Sequence, residues 1–561
     1  MPRAIPEERL YRPIRFARAV EARPTKWWGW GWEDKVLRLE SRPALAAYLG
    51  HRLDVDLSVR RPVASFDQIE VPPSRLSSQD LADIQVIVGE GNLASDNVAR
   101  VTHATGRGYK DLVRLRTARL DHVPDLVVYP EDEDSVPRLL EFAGSHRYAV
   151  IPFGGGTNVV GGLDVHGQFA ATIVMDLRRL RRVLAIDIES GLATVEAGIR
   201  GPPLEEALNA KGLTLGHFPQ SWEFSTVGGW IAMRASGSHS NRYGSIEDLV
   251  VGVRLVSPAR VLEVRSVPKE SHGPSLKELV LGSEGALGVI TQATLRVQPL
   301  PLVRRFESRL FSSFADGVAA LRAMAREDGL PDMAYLADSE ETKFAAAGEG
   351  IAPDADGIAG RRLAEGSLLL MGFEGTKERV THRRRVALRH ARANSTSLGS
   401  GPAERWSHER FELPYLRDSL LDHGILVDTV ETAARWSDLL AVYDHAKKAL
   451  QEALWKDGTA GLVLCHVSHA YPDGASLYYT FLAPQREGHE IEQWEGIKAA
   501  VTEAVLDAGA ALSHHHGIGE DHAPYLSRVI GEDGLVVLRA LKRELDPDGI
   551  MNPGTLVMGS A

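Results

Sequence analysis

Pro152-Phe-Gly-Gly-Gly-Thr-Asn-Val-Val-Gly-Gly162 follows a short apolar run, Tyr148-Ala-Val-Ile151, that reads as a buried strand. Three successive glycines remove every Cβ where the chain turns. Glycine takes positive φ without penalty and lets a ligand reach the bare backbone. Successive peptide N–H groups in such a turn converge on an anion, a phosphate or a pyrophosphate. The bland alternative is a plain tight turn. The neighbouring chain decides between the two.

Upstream, Leu126-Val-Val-Tyr129 reads as a strand, followed by Pro130-Glu-Asp-Glu-Asp134 at the positive end of a helix carrying Val136, Leu139, Leu140 and Ala143. Downstream, Thr172–Asp176, Arg182–Ile188 and Ala193–Ala197 carry strand patterns, with a helix from Pro203 to Leu208. Two further loops rich in small residues follow. One is His217-Phe-Pro-Gln-Ser-Trp-Glu-Phe-Ser-Thr-Val-Gly-Gly229, running on through Ala235-Ser-Gly237; the other is Gly282-Ser-Glu-Gly-Ala-Leu-Gly-Val-Ile290. Three such loops close together favour a backbone pressed against a flat or polyanionic cofactor. The predicted fold class is α+β, without a regular doubly wound repeat.

The 561 residues exceed a single hydrophobic core, so two to four domains are expected. We divide the chain into a mostly helical region over 1–120, a binding domain over 121–301, a second α+β domain over 302–520 and a C-terminal helical segment over 521–561. Within the second domain Gly366–Phe373, Leu462–His466 and Leu477–Phe481 predict strands, and Thr376–Ala393 a helix whose Arg383-Arg-Arg385 reads as a solvated face. Lys26-Trp-Trp-Gly-Trp-Gly-Trp32 reads as a packing anchor. A helix from Leu535 to Leu545 stops at Asp546-Pro-Asp-Gly549.

The net charge of −11 argues against a nucleic-acid binder. The one cysteine, Cys465, excludes an internal disulfide and a cysteine-based zinc cluster, and its apolar surroundings predict an inert thiol. No apolar run approaches the roughly 18 residues that span a bilayer. The opening MPRAIPEERLYRP lacks the apolar core of a secretion signal, and the ending Val557-Met-Gly-Ser-Ala561 is not of the S-K-L type. The expectation is a cytoplasmic protein, with peripheral membrane contact left open.

The loop PFGGGTNVVGG, the run HFPQSWEFSTVGGW, GSEGALGVITQATLRVQP and the ending LDPDGIMNP resemble the vanillyl-alcohol-oxidase-type flavoproteins, whose FAD domain is the type shared with p-cresol methylhydroxylase. WGWGWED, SNRYGSIEDLVVG, LPYLRD, VDTVETAARW, SHAYPDGASLYY and SHHHGIG are similar to the alkyldihydroxyacetone-phosphate synthase branch of ether-lipid synthesis. The resemblance runs from about Lys26 to the C-terminus.

It implies a PCMH-type domain with a cap, a noncovalent FAD and a homodimer. The implied FAD contacts are Pro152, Phe153, Gly154, Gly155, Gly156, Thr157 and Asn158; Gln220, Ser221, Trp222, Glu223, Phe224, Ser225 and Thr226; Met233, Arg234, Ala235 and Ser236; and Glu284, Gly285, Ala286, Leu287, Gly288, Val289 and Ile290. The implied reaction has no net redox change: acyl-dihydroxyacetone phosphate and a long-chain alcohol give alkyl-dihydroxyacetone phosphate and a fatty acid through a flavin N5 adduct. Its amphiphilic substrates fit the open question of membrane contact. By the same resemblance Tyr478 moves protons, Arg417 binds substrate, and His514, His515 and His516 form an essential triple histidine that donates to oxygen and exchanges protons near neutral pH.

Each residue has a bland reading. Tyr478 is a core tyrosine, Arg417 pairs with the adjacent Asp418, and the histidines suggest metal. Adjacent strand side chains point to opposite faces, so three cannot share an ion, and no metal is expected. A set of His514, His516 and Glu520 remains as the zinc alternative. One departure stands out. Tyr335, in Asp332-Met-Ala-Tyr-Leu-Ala-Asp338, falls where the family carries an arginine, so either another cation compensates or the substrate differs. The competing functions are an FAD-linked oxidoreductase of a 2-hydroxy acid or alcohol and a flavin scaffold with a decayed site. Tyr478 stands where the metal-dependent hydroxy-acid dehydrogenases carry a histidine, which disfavours the first.

Overall fold

Short apolar runs bounded by turns supply most of the strands. The structure, a computed structural model, describes residues 23–351, 365–456 and 458–556. The opening and closing stretches read above for targeting signals lie largely outside the described residues.

Strands β1 (Leu93–Ala94), β2 (Leu126–Val128), β3 (Ala149–Phe153) and β4 (Thr172–Asp176) form one sheet in the order β1-β2-β4-β3. β2, β4 and β3 run parallel, and all three residues of β2 are buried, as expected of parallel strands covered on both faces. The helix Ser135–His146 packs Val136, Leu139, Leu140 and Ala143 into the core of this sheet. Then come β5 (Val183–Asp187), β6 (Leu192–Glu196), the short β7 (Leu213–Thr214), β8 (Val250–Val256), β9 (Val261–Val264) and β10 (Val289–Arg296). Five of these make an antiparallel sheet ordered β5-β6-β10-β8-β9, while β7 pairs with β11 (Gln298–Pro299).

The second domain is built on β12 (Val303–Phe311), β13 (Met333–Ala337), β14 (Ser367–Gly375), β15 (Ser395–Gly399), β16 (Ile425–Arg435), β17 (Leu462–Val467) and β18 (Gly474–Pro484). They form an antiparallel sheet in the order β15-β12-β14-β13-β17-β18-β16. One face packs on helices that include Leu439–Trp455, whose Leu439, Val442, Ala446, Leu450 and Leu454 recur at helical spacing. Cys465, Tyr479 and Phe481 point into that core, and burial pushes the Cys465 thiol well up, as an inert thiol requires. The opposite face, with Leu464, His466, Tyr478 and Thr480, turns toward the glycine loop.

Before β2 helices supply nearly all of the regular structure, as Pro43–Leu53, Ser78–Val88, Asn97–Thr102 and Tyr109–Arg116, with long irregular stretches between them. The tryptophan cluster packs on the helix Leu413–Asp422: Trp30 N–H donates to Asp418 at 3.1 Å and Trp32 N–H to the Tyr415 hydroxyl at 3.3 Å. Arg383-Arg-Arg385 is not uniformly solvated. Arg383 is buried against Asp332 at 3.0 Å, and Arg385 alone of the three is fully outside. The C-terminal helix begins at Leu526, earlier than its pattern suggests, and kinks at Gly531 with φ of 70°. Past its end, Met551 bridges to Val150, and Asn552 Nδ2 donates to the carbonyls of Gly162 at 3.0 Å and Glu284 at 2.6 Å. The chain end therefore locks the glycine loop from behind. Among the described residues no helix is long and apolar enough to cross a membrane.

Candidate functional site

The glycine loop is tight because it meets a second loop. A Cβ on Gly154 would sit 2.3 Å from the Thr226 hydroxyl, and one on Gly155 would sit 2.2 Å from the Phe224 carbonyl oxygen. Gly156 has φ of 65°, in the left-handed region. Beyond the loop opens a cavity of about 480 Å³, within the range that takes small molecules and cofactors. Its floor is Pro152, Phe153, Gly154, Gly155, Gly156, Thr157 and Asn158, with Gln220, Ser221, Ser225, Thr226, Met233, Ala235, Ser236, Glu284, Gly285, Gly288 and Ile290 around them. Bare backbone from three loops, with hydroxyls and an amide among them, fits the pyrophosphate and ring edges of FAD.

Seven of the expected contacts point elsewhere. Trp222 is buried against Phe218 and Phe411. Glu223 accepts from Trp32 Nε1 at 2.6 Å, and Phe224 packs on Trp30 and Trp32. Arg234 pairs with Glu247 and Glu278. Ala286, Leu287 and Val289 are buried away from the cavity, the latter two in the cores of the two FAD-domain sheets. An extended chain beside a cavity turns only some of its side chains inward.

The cap supplies the opposite wall through sheet register. Glu431 on β16 lies opposite Tyr478 on β18, and Tyr478 lies opposite His466 on β17. Ala337 on β13 pairs with His466, which brings Tyr335, two residues back, to the same face. Six rings follow one another along this wall. Trp406 meets Tyr335 at 4.9 Å, Tyr335 stacks on His466 at 4.2 Å, and His466 stacks on Tyr478 at 5.0 Å. Tyr478 then faces His515 at 6.1 Å, and His515 meets His516 at 4.7 Å.

The triple histidine lies on an irregular loop held between two carboxylates. Glu431 receives the backbone N–H of His514, His515 and His516 at 2.8–3.0 Å and the Ser513 hydroxyl at 2.7 Å. From the FAD domain, Glu284 receives the N–H of Ile518 at 2.6 Å and of Gly519 at 2.7 Å. Burial alone would raise the Glu431 carboxyl, yet His515, His516 and His514 around it hold it well below the usual carboxylate range. Burial pushes Glu284 up to about 7.

His515 and His516 line the cavity; His514 does not, turning instead to the Tyr471 hydroxyl. Burial lowers His514 to about 4 and His516 to about 3, so both are neutral imidazoles at neutral pH. Exchange of protons near neutrality, expected of free imidazoles, is suppressed for these two by desolvation. Burial also raises Tyr478 well above an ordinary phenol, outweighing the pull of Thr429 and Arg417. Tyr478 is therefore a protonated phenol at neutral pH.

Asp418 is not the partner of Arg417. It takes Lys26 Nζ at 2.8 Å and the Trp30 N–H, which leaves Nε and Nη2 of Arg417 without a partner at the cavity wall. Tyr335 donates its hydroxyl to Glu341, which also takes His466 Nδ1 at 3.0 Å. Glu520 faces Lys110 at 3.6 Å, apart from the histidines, so the zinc set of His514, His516 and Glu520 is not assembled. A different group, Glu431, His514 and His515, brings ligand atoms within 4.8 Å of one another, with the Glu431 oxygens already taking four protein donors. Glu431, His466, Glu341, Trp406 and Arg410 went unread in the sequence, although VDTVETAARW carried Glu431 among the quoted motifs.

The family described as FAD binding domain matches residues 124–260, and that described as FAD linked oxidases, C-terminal domain, matches residues 300–556. The alkyldihydroxyacetonephosphate synthase of Dictyostelium discoideum is 34% identical over 509 residues, covering 88% of this chain and 83% of the relative. A solved alkyldihydroxyacetonephosphate synthase structure superposes with a TM-score of 0.83 at 31% identity, covering 95% of this chain and 99% of the other. Substrate-bound p-cresol methylhydroxylase, at 14% identity and a TM-score of 0.67 over 86% of this chain and 98% of its own, shares the fold. The chain is a flavoenzyme of the alkyldihydroxyacetonephosphate synthase family, with a PCMH-type FAD-binding domain under an α+β cap.

Proposed function

We propose that the protein exchanges the acyloxy group of acyl-dihydroxyacetone phosphate for a long-chain alkoxy group, with FAD held noncovalently. The observation that carries this reading is the convergence of Arg417, Tyr478, His515 and His516 on the cavity that the glycine loop also lines. Bound FAD supplies flavin nucleophilicity toward the substrate carbon.

The residues of the chain do the rest. The free fork of Arg417 suits a phosphate or carboxylate. Tyr478, held protonated, gives its proton to the departing carboxylate as that C–O bond breaks. The resulting phenolate takes the proton of the incoming alcohol as the new C–O bond forms, so nothing is oxidised or reduced overall. His515 and His516 stand beside Tyr478 and offer ring nitrogens to substrate oxygens. The buried wall keeps water from taking the alcohol's place.

The metal-like grouping of Glu431, His514 and His515 favours the second reading, an FAD-linked oxidoreductase. One experiment separates the two. Anaerobic addition of acyl-dihydroxyacetone phosphate should bleach the flavin without any electron acceptor. Bleaching by a 2-hydroxy acid, reversed by a dye acceptor, would instead establish the oxidoreductase.

A further inference from the structure

Arg410 closes the helix Gly401–Glu409 and is 5% exposed, yet it lines the cavity. Its Nη1 donates to the Ser407 carbonyl at 2.9 Å, while Nε and Nη2 have no partner. The guanidinium lies 4.4 Å over Phe411 and 5.7 Å over Trp406, the first ring of the wall that ends at His516. The carboxylate whose charge reaches it, Glu374, is already engaged by Arg304 at 2.7 Å and the Tyr243 hydroxyl at 2.8 Å. Among the described residues no acid pairs with Arg410. Burial, with Arg304 adding repulsion, pushes it down to about 9, still charged at neutral pH.

A buried cation without a counter-charge is expensive, and a fork that presents two parallel donors matches two oxygens of one anion. Arg417 shows the same two empty donors in the same cavity. Tyr335, tilted against Trp406, is neutral and committed to Glu341, so it contributes no positive charge there. We propose that Arg410 is a second anion-binding residue of this cavity, taking a carboxylate or phosphate monoester of the ligand through Nε and Nη2. The assignment rests on the reading of the cavity as one for anionic lipid substrates. With Arg417 it gives the site two forks, matching the two anionic groups of the proposed exchange, a retained phosphate and a departing carboxylate.

The test is calorimetric titration of FAD-loaded wild type, Arg410→Gln and Arg410→Lys with dihydroxyacetone phosphate and, separately, with hexadecanoate. Arg410→Gln should weaken at least one of the two by about tenfold or more, and Arg410→Lys by about threefold, with flavin content unchanged. Weakening confined to one titrant assigns the fork to phosphate or to carboxylate. Unchanged affinity for both overturns the proposal, and so does loss of FAD with anion binding intact. Should Arg410→Gln fail to fold, Arg410→Lys decides alone, unchanged affinity again overturning it. Wild type that binds neither anion would sink the substrate reading itself, whereas binding by wild type and equally by the variants would sink only the role of Arg410.

Discussion

The backbone N–H of His514 donates to both oxygens of the Glu431 carboxylate, at 2.9 and 2.8 Å. The same carboxylate takes the next two N–H groups, so one side chain on β16 sets the path of all three histidines. Glu431→Gln keeps one acceptor and loses the charge. We expect it to lower stability by about 2–3 kcal/mol and to cut turnover more than FAD content, because hydrogen bonds to a buried charge are the strong ones. Thermal unfolding together with initial rates checks this; full turnover in Glu431→Gln would show that the loop holds its path without the clamp.

Gly155 has no room for a side chain, since the atom it would meet is the Phe224 backbone carbonyl, which cannot rotate away. Gly155→Ala should therefore separate the glycine loop from the 220–226 loop and reduce flavin retention by about tenfold or more, a loss of roughly 1.4 kcal/mol. Flavin absorbance per protein after gel filtration measures it. Retention at the wild-type level would remove this loop from the cofactor site.

Tyr478→Phe deletes one hydroxyl and leaves the ring between His466 and His515. The fold and bound FAD should persist while turnover falls by about a hundredfold or more, the usual scale for losing a positioned proton donor. Steady-state rates at matched flavin content give the answer. A variant with unchanged turnover would exclude Tyr478 from proton transfer.

His516 is lowered to about 3 in the fold against 6.5 as a free group. As pH falls below 6.5 the unfolded chain gains a proton that the folded protein refuses. The stability tied to this neutral imidazole is thus complete above 6.5 and lost toward pH 3, with a slope of about 1.4 kcal/mol per unit. The difference in Tm between wild type and His516→Asn should shift steadily against wild type between pH 6 and pH 4. A pH-independent difference would mean that His516 titrates normally in the folded protein.

The cradle was legible because glycine, hydroxyl and strand patterns are local. Loops that touch FAD-sized ligands advertise themselves in a few adjacent residues, as at Gly154 to Gly156. The seven residues from Trp222 to Val289 whose side chains turn away from the cavity show the limit, because a loop's identity does not say which side chains turn inward. Tyr478 and Arg417 were legible through resemblance alone. The ring file from Trp406 to His516 was not, because the pairing of β13 with β17 brings Tyr335 beside His466, more than a hundred positions along the chain. The freedom of Arg417 was equally hidden: Asp418 is claimed by Lys26, a residue 392 positions away. Arg410 carries no motif in the sequence, and only its unpartnered donors at the cavity wall mark it.

Exchange of one oxygen substituent for another without net oxidation can be measured directly. FAD-loaded protein, hexadecanoyl-dihydroxyacetone phosphate and a long-chain alcohol of different length should be incubated anaerobically with no electron acceptor, and the products measured by mass spectrometry. Alkyl-dihydroxyacetone phosphate and hexadecanoate should form in equal amounts over many turnovers. Absence of the ether product, with an acceptor reduced at the expense of a 2-hydroxy acid instead, would contradict this exchange.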